Sequence, residues 1–160
     1  MMATDMFLKL DGIKGESQDS KHKEEIEISS FSFGVHQLGS ASSGGGAGTG
    51  KASFDDLHVS KHADKATPIL MQKSATGEHI KTAVLTVRKA GKDQQEYYVI
   101  KMTDLIVSGV TNMGTDGEVP SEQVSLNFSS IEFTYKEQKA DGSLGGTTKF
   151  GWDLKKVKPI

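Results

Sequence analysis

The chain has no cysteine, which excludes a disulfide framework and thiolate metal sites and leaves the redox compartment open. It has almost no arginine: Arg88 stands alone among 19 Lys plus Arg. Nucleic-acid surfaces concentrate positive charge and favour the bidentate arginine fork, whereas here 21 Asp plus Glu leave a net charge of −2. No nucleic-acid partner is expected. Apolar runs stop after a few residues, as in Tyr97–Ile100, far short of the roughly 20 that a membrane helix needs. No membrane insertion is expected either. The start, Met1–Leu10 (MMATDMFLKL), lacks the basic n-region, apolar h-region and cleavage site of a secretory signal. The protein is therefore read as made in the cytoplasm, with any export proceeding without a cleaved signal peptide. At 160 residues it is expected to be a single domain, 1–160, burying roughly two-thirds of its unfolded surface.

What the chain does have is alternation with period two, broken once. Phe54–Lys61 (FDDLHVSK) and His79–Lys89 (HIKTAVLTVRK) read as strands, and Asp64–Gly77 between them switches to a helical pattern. The spacing predicts a helix over 67–77, with Thr67 as N-cap, Pro68 in the first turn and Gly77 as a left-handed C-cap. Further strands are expected at Asp5–Asp11, Glu24–Gln37, Gln95–Met102, Asp104–Asn112, Ser121–Lys136 and Thr148–Val157. Gln95–Met102 should pair with His79–Lys89 across the loop Ala90–Gln94. The small-residue stretch Ser40–Gly50 has too little hydrophobicity to pack, and a mobile loop over 40–51 is expected.

Two long strands change apolar phase. Ile26 and Ile28 give way to Phe31, Phe33 and Val35, and Val124, Leu126 and Phe128 give way to Ile131, Phe133 and Tyr135. Such changes accompany bulges or sharp bends. The expected fold is mainly β, an antiparallel β-barrel (two packed sheets) with one short flanking α-helix and an extended Gly-rich loop.

Chemistry-bearing patterns are sparse. Of His22, His36, His58, His62 and His79, only His58 and His62 are close in sequence, and without convergent partners all five read as surface residues rather than metal ligands. Ser43–Lys51 (SGGGAGTGK) matches part of a phosphate loop, but Ala52 replaces the metal-binding hydroxyl and a strand pattern follows where a helix is needed. Asp55/Asp56 and Glu24/Glu25 are adjacent pairs, which point to opposite faces of a strand and cannot work as acid and base together. No serine stands in a nucleophile elbow. Tyr97, Tyr98 and Trp152 sit in alternating strands and read as packing residues. No catalytic residue, metal site or cofactor is assigned.

Five blocks resemble one family: DMFLKLDGIKGES (Asp5–Ser17), HKEEIEISSFSFG (His22–Gly34), SKHADKATPILM (Ser60–Met71), VRKAGKDQQEYYVIKMTDLIVSGV (Val87–Val110), and QKADGSLGG with FGWDLK at the end. They resemble the haemolysin-coregulated proteins, the tail-tube subunits of type VI secretion systems, and follow that family's order along nearly the whole chain. The resemblance implies a β-barrel with one flanking helix that assembles as a homohexameric ring. It further implies rings stacked into a tube, effector proteins carried in the lumen, and a tube-tip spike protein and contractile sheath as partners. Within that picture Ser30, Ser32 and Gly34 lie opposite Phe31 and Phe33 and are expected to face the lumen. Ring-stacking contacts are expected from Ser43, Gly45, Gly48 and Lys51 in the Gly-rich loop and from Thr115, Asp116 and Glu118 in the turn Met113–Pro120. A different class of reading is a secreted β-sandwich binding module for carbohydrate or another ligand, using Tyr97, Tyr98 and Trp152. A small hydrolase ranks behind both for want of a nucleophile and base.

Overall fold

A computed structural model of the chain describes residues 4–37, 52–89 and 95–160. Strand β1 (Thr4–Leu10) pairs along its whole length with β7 (Ile80–Lys89). From there the sheet continues through β8 (Glu96–Met113) to β9 (Ser121–Gln138), two strands of 18 residues each that make the longest ladder of the molecule. The first half of β9 also pairs with β6 (Leu57–His62), and β6 pairs with β3 (Ser30–Ser32). At the other end β1 pairs with β2 (Ile26–Glu27).

The two ends meet in one short segment. Ile28 donates its N–H to Met6 O of β1 (3.0 Å), and the next residue, Ser29, donates to Ser60 O of β6 (2.8 Å). The expected barrel is thus a nine-stranded antiparallel sheet that curls until residues 26–32 bridge its ends, not a cylinder of unbroken ladders. Leu8, Ile26, Leu57, Leu85, Leu105 and Leu126 fill its interior. Beyond the closed part, β10 (Leu144–Asp153) extends the second half of β9, and β11 (Lys158–Pro159) edges β10. A separate two-stranded ladder joins β4 (Val35–Gln37) to β5 (Ala52–Phe54) at the base of the Gly-rich segment.

The phase changes lie on one line across the sheet. In β9 the buried parity passes from Phe128 to Ile131, and in β8 from Met102 to Leu105. Leu105 is opposite Phe128, and Thr103 is opposite Ser130. In β7 the change falls between Ile80 and Ala83, with Ile80 opposite Leu105 and Thr82 opposite Thr103. Three neighbouring strands therefore crease together, each keeping its apolar side chains inward on both sides of the fold. At the crease Asp104 has φ 50, a left-handed conformation that aspartate tolerates better than most residues.

Several expectations need correction. Glu24–Gln37 is three short strands, because the segment changes partner from β1 to β6 and then leaves both. Glu24 itself has φ 63, which no strand accommodates. Phe54–Lys61 is interrupted at Asp55-Asp56, and β8 runs unbroken where two strands were expected. The last long strand starts at Leu144 and ends at Asp153, so the hairpin turn is tighter, closed by Lys139 N–H to Ser143 O at 2.9 Å. Helix α1 (Thr67–Thr76) carries proline in its first turn, and Gly77 at φ 69 donates to Lys73 O. Its N-cap is Ala66, not Thr67. Asp64 supplies the capping carboxylate, accepting from Ala66 N–H at 2.9 Å, while the Thr67 hydroxyl accepts from Asp64 N–H.

Candidate functional site

The register of β3, β6 and β9 brings their outward residues together. Ser30 stands opposite Ser60 and Ser32 opposite His58. Across the next ladder His58 faces Ser125 and Ser60 faces Gln123. Each of these strands turns Phe31, Val59, Val124 or Leu126 inward, so the alternation that fills the core also sets out a face of hydroxyl, amide and imidazole groups. Ser30, Ser32, His58 and Gln123 are exposed. One carboxylate borders this face. Asp56 accepts hydrogen bonds from the Ser108 hydroxyl (2.6 Å) and Asn127 Nδ2 (2.8 Å), and Ser108 Oγ is also hydrogen-bonded to Ser125 Oγ at 2.8 Å. Ser108 is free to do this because a bulge sets it between the paired Val107 and Gly109. Gly34 lies beyond β3, half-buried, with the Asp55 carboxylate and the His36 ring beside its α-carbon.

Directly behind the face lies a buried ion network that sequence reasoning missed. Lys61 of β6 is opposite Glu122 of β9, and their side chains are 1% and 0% exposed. Lys61 Nζ bonds Glu122 and also reaches Asp64 Oδ1 at 2.9 Å. The Thr67 hydroxyl donates to Glu122 Oε1 at 2.8 Å. Helix α1 is thereby tied by its first residue to the strands that carry the polar face. A signal was present in the chain. Lys61 shares the inward parity of Leu57 and Val59, and Glu122 that of Val124 and Leu126, so opposite charges occupy core positions.

A second missed cluster holds the loop after β1. The Arg88 guanidinium bonds both Asp19 oxygens, lies 4.8 Å from the centre of the Phe7 ring, and holds the Asp19 carboxyl well below its ordinary range. His22 stacks on Phe7 at 4.5 Å, with Glu25 at one ring nitrogen (3.0 Å) and Glu96 at the other (2.6 Å). His22 is buried, which corrects its reading as a surface residue; the other four histidines are exposed. At the crease, Lys155 and then His79 hold the Asp104 carboxyl below its ordinary range, both at 2.7 Å.

Of the expected contact loops, Thr115, Asp116 and Glu118 lie exposed in the turn between β8 and β9, where Glu118 N–H closes on Thr115 O at 3.1 Å. Ser43, Gly45, Gly48 and Lys51 lie outside the described residues, as does the loop Ala90–Gln94. The aromatics of the carbohydrate reading form no open platform. Trp152 and Tyr98 pack against the core cluster, and burial pushes the Tyr98 hydroxyl pKa up. Among the described residues no group of acids and histidines could hold a metal ion, and no helix is long and apolar enough to cross a membrane.

Comparison with known proteins agrees with this architecture. Residues 7–135 match the family described as "Type VI secretion system effector, Hcp". The chain is 44% identical to Protein hcp1 of Pseudomonas aeruginosa over 157 residues, covering 96% of this chain and 97% of that protein. Among solved structures, Hcp1 from Salmonella typhimurium superposes with a TM-score of 0.83 at 38% identity, covering 99% of this chain and 100% of that one. A structure described as a type six secretion system protein reaches a TM-score of 0.92 at 30% identity with the same coverage. By this match and this identity, the chain belongs to the Hcp family of type VI secretion proteins.

Proposed function

We propose that the chain is the structural subunit of a type VI secretion tube, assembling as a homohexameric ring whose stacked copies form a conduit for effector proteins. The observation that carries this reading is the chemistry of the outward face on β3, β6 and β9. Ser30, Ser32, Ser60, Gln123 and Ser125 give it short polar groups, and Asp56, at its edge, is occupied by Ser108 and Asn127. A surface of this kind can hydrogen-bond a passing protein without a strong field or a sticky apolar patch, which suits a lumen better than a catalytic cleft. The ring contact is a head-to-tail one in which unlike patches close by rotation. Stacking is assigned to ring-face contacts from Ser43, Gly45, Gly48 and Lys51 and from Thr115, Asp116 and Glu118. A tube-tip spike protein and a contractile sheath complete the machine, and the subunit leaves the cell through it. No cofactor and no reaction enter this role.

Light scattering on the purified protein should give about six times the 17.2 kDa subunit mass, with particles showing a central hole. A monomer over a wide concentration range overturns the ring. Ser32→Gln, which pushes a longer amide off the polar face, should leave that mass unchanged and reduce co-purification of effector. Normal loading by intact Ser32→Gln rings would place the lumen elsewhere.

A further inference from the structure

The root of the Gly-rich segment is built with more care than a connecting loop requires. Strands β4 and β5 pair in register, Val35 with Phe54, His36 with Ser53 and Gln37 with Ala52. Asp55 N–H donates to Gly34 O at 2.9 Å, and the Asp55 carboxylate meets His36 Nε2 at 3.0 Å, closing the base of the ladder. This short ladder shares no strand pairing with the nine-stranded sheet. Two strands of three residues are not stable alone in water. Something must hold them.

Phe54 does. Its ring lies over Phe150 at 6.4 Å with an interplanar angle of 14°, and over Trp152 at 6.1 Å with 28°. Both partners belong to β10, where Phe150 pairs with Phe133 and Trp152 with Ile131. The anchor therefore sits on the part of the sheet that extends beyond the barrel. We propose that Phe54 is a positioning residue: seated on Phe150 and Trp152, it docks the β4–β5 ladder on β10 and fixes the root of the segment that joins one ring to the next. The ring-joining role of that segment rests on the tube reading above; the docking does not.

Trp152 is the single tryptophan of the chain, so its emission reports the docking directly. Phe54→Ala should shift that emission to the red, raise its quenching by acrylamide and lower the docked fraction roughly 2- to 10-fold, the range that one lost aromatic contact gives. The same variant should keep the oligomeric mass of the native protein, since Phe54 is only partly buried at the margin of the core, and should slow the growth of ring stacks. Phe54→Tyr should restore both the emission and the stacking. An unchanged Trp152 signal in Phe54→Ala overturns the docking. Altered emission with normal stacking overturns the positioning role when deletion of residues 44–50 abolishes stacking. If that deletion also leaves stacking untouched, the fault lies with the stacking reading, and the fluorescence result still decides the anchor.

Discussion

From Ser121 to Leu126, strand β9 lies between β6 and β8, and its inward side chains Val124 and Leu126 are 1% and 0% exposed. From Ser130 to Tyr135 the same strand lies between β8 and β10, and its inward series ends in Phe133, half-buried, and Tyr135, 40% exposed. The first half is aliphatic and sealed, with an ion network locking it to helix α1. The second half is aromatic and partly open, with Phe54 laid against Phe150 and Trp152 of its neighbour β10. Aliphatic side chains give most when buried completely, whereas aromatic ones keep useful contact area when half exposed. The sealed half accordingly sets stability, and the open half keeps aromatic surface accessible.

The comparison breaks most visibly at Lys61. Lys61→Met leaves Glu122 buried without its cation and should lower the unfolding free energy by about 3–5 kcal/mol. Combining it with Glu122→Leu should recover most of that loss, because two apolar residues carry no unpaired charge. Denaturant titrations at one fixed protein concentration decide it, since self-association, where it occurs, enters the measured stability. A double variant as unstable as Lys61→Met would mean that the loss has another origin.

Next in size is the contrast between the halves themselves. Leu126→Ala opens a cavity in the sealed half and should cost about 2–5 kcal/mol. Tyr135→Ala removes a ring that touches Tyr97 edge-on at 6.4 Å and should cost about 1 kcal/mol or less. Equal losses at the two positions would erase the distinction between a sealed and an open half.

Much of this architecture is legible in the residues. Pro68 and Gly77 bound the helix because one lacks an N–H and the other accepts φ 69. The crease in β9 is readable from Phe128 and Ile131, since apolar runs of opposite parity flank Ser129-Ser130. In β8 the same parity change, from Met102 to Leu105, passes for a strand break, because the backbone turn at Asp104 that keeps the strand continuous has no side-chain signature. Residues 24–37 look like one strand because side-chain alternation persists while the backbone exchanges β1 for β6. Exchange of partners is tertiary and has no local trace. His22 is buried by Phe7 and Glu96, both distant in sequence, so nothing around it announces its environment. The polar face is legible as alternation, but its extent depends on the register that brings Ser60, Gln123 and Ser125 beside Ser30 and Ser32.

The smallest effect is expected at the boundary between the halves. Asp104 binds Lys155 and His79 and accepts from the Ser129 hydroxyl at 3.2 Å, joining the crease to the start of β7 and to the C-terminal segment. Its carboxyl titrates below the ordinary 3.8, chiefly because of Lys155, so the ionised form contributes stability above that pH and loses it as the pH falls through the folded value. The side chain is substantially exposed, and solvent screening keeps the contribution small. Asp104→Asn preserves a residue that tolerates the left-handed backbone while removing the charge. The variant should be slightly less stable than the native chain near neutral pH, and the difference should narrow as the pH drops below 3.8. High salt should narrow it as well. A gap that persists unchanged in acid and in salt would show that Asp104 holds the crease by its hydrogen-bond geometry and backbone conformation, with its charge incidental.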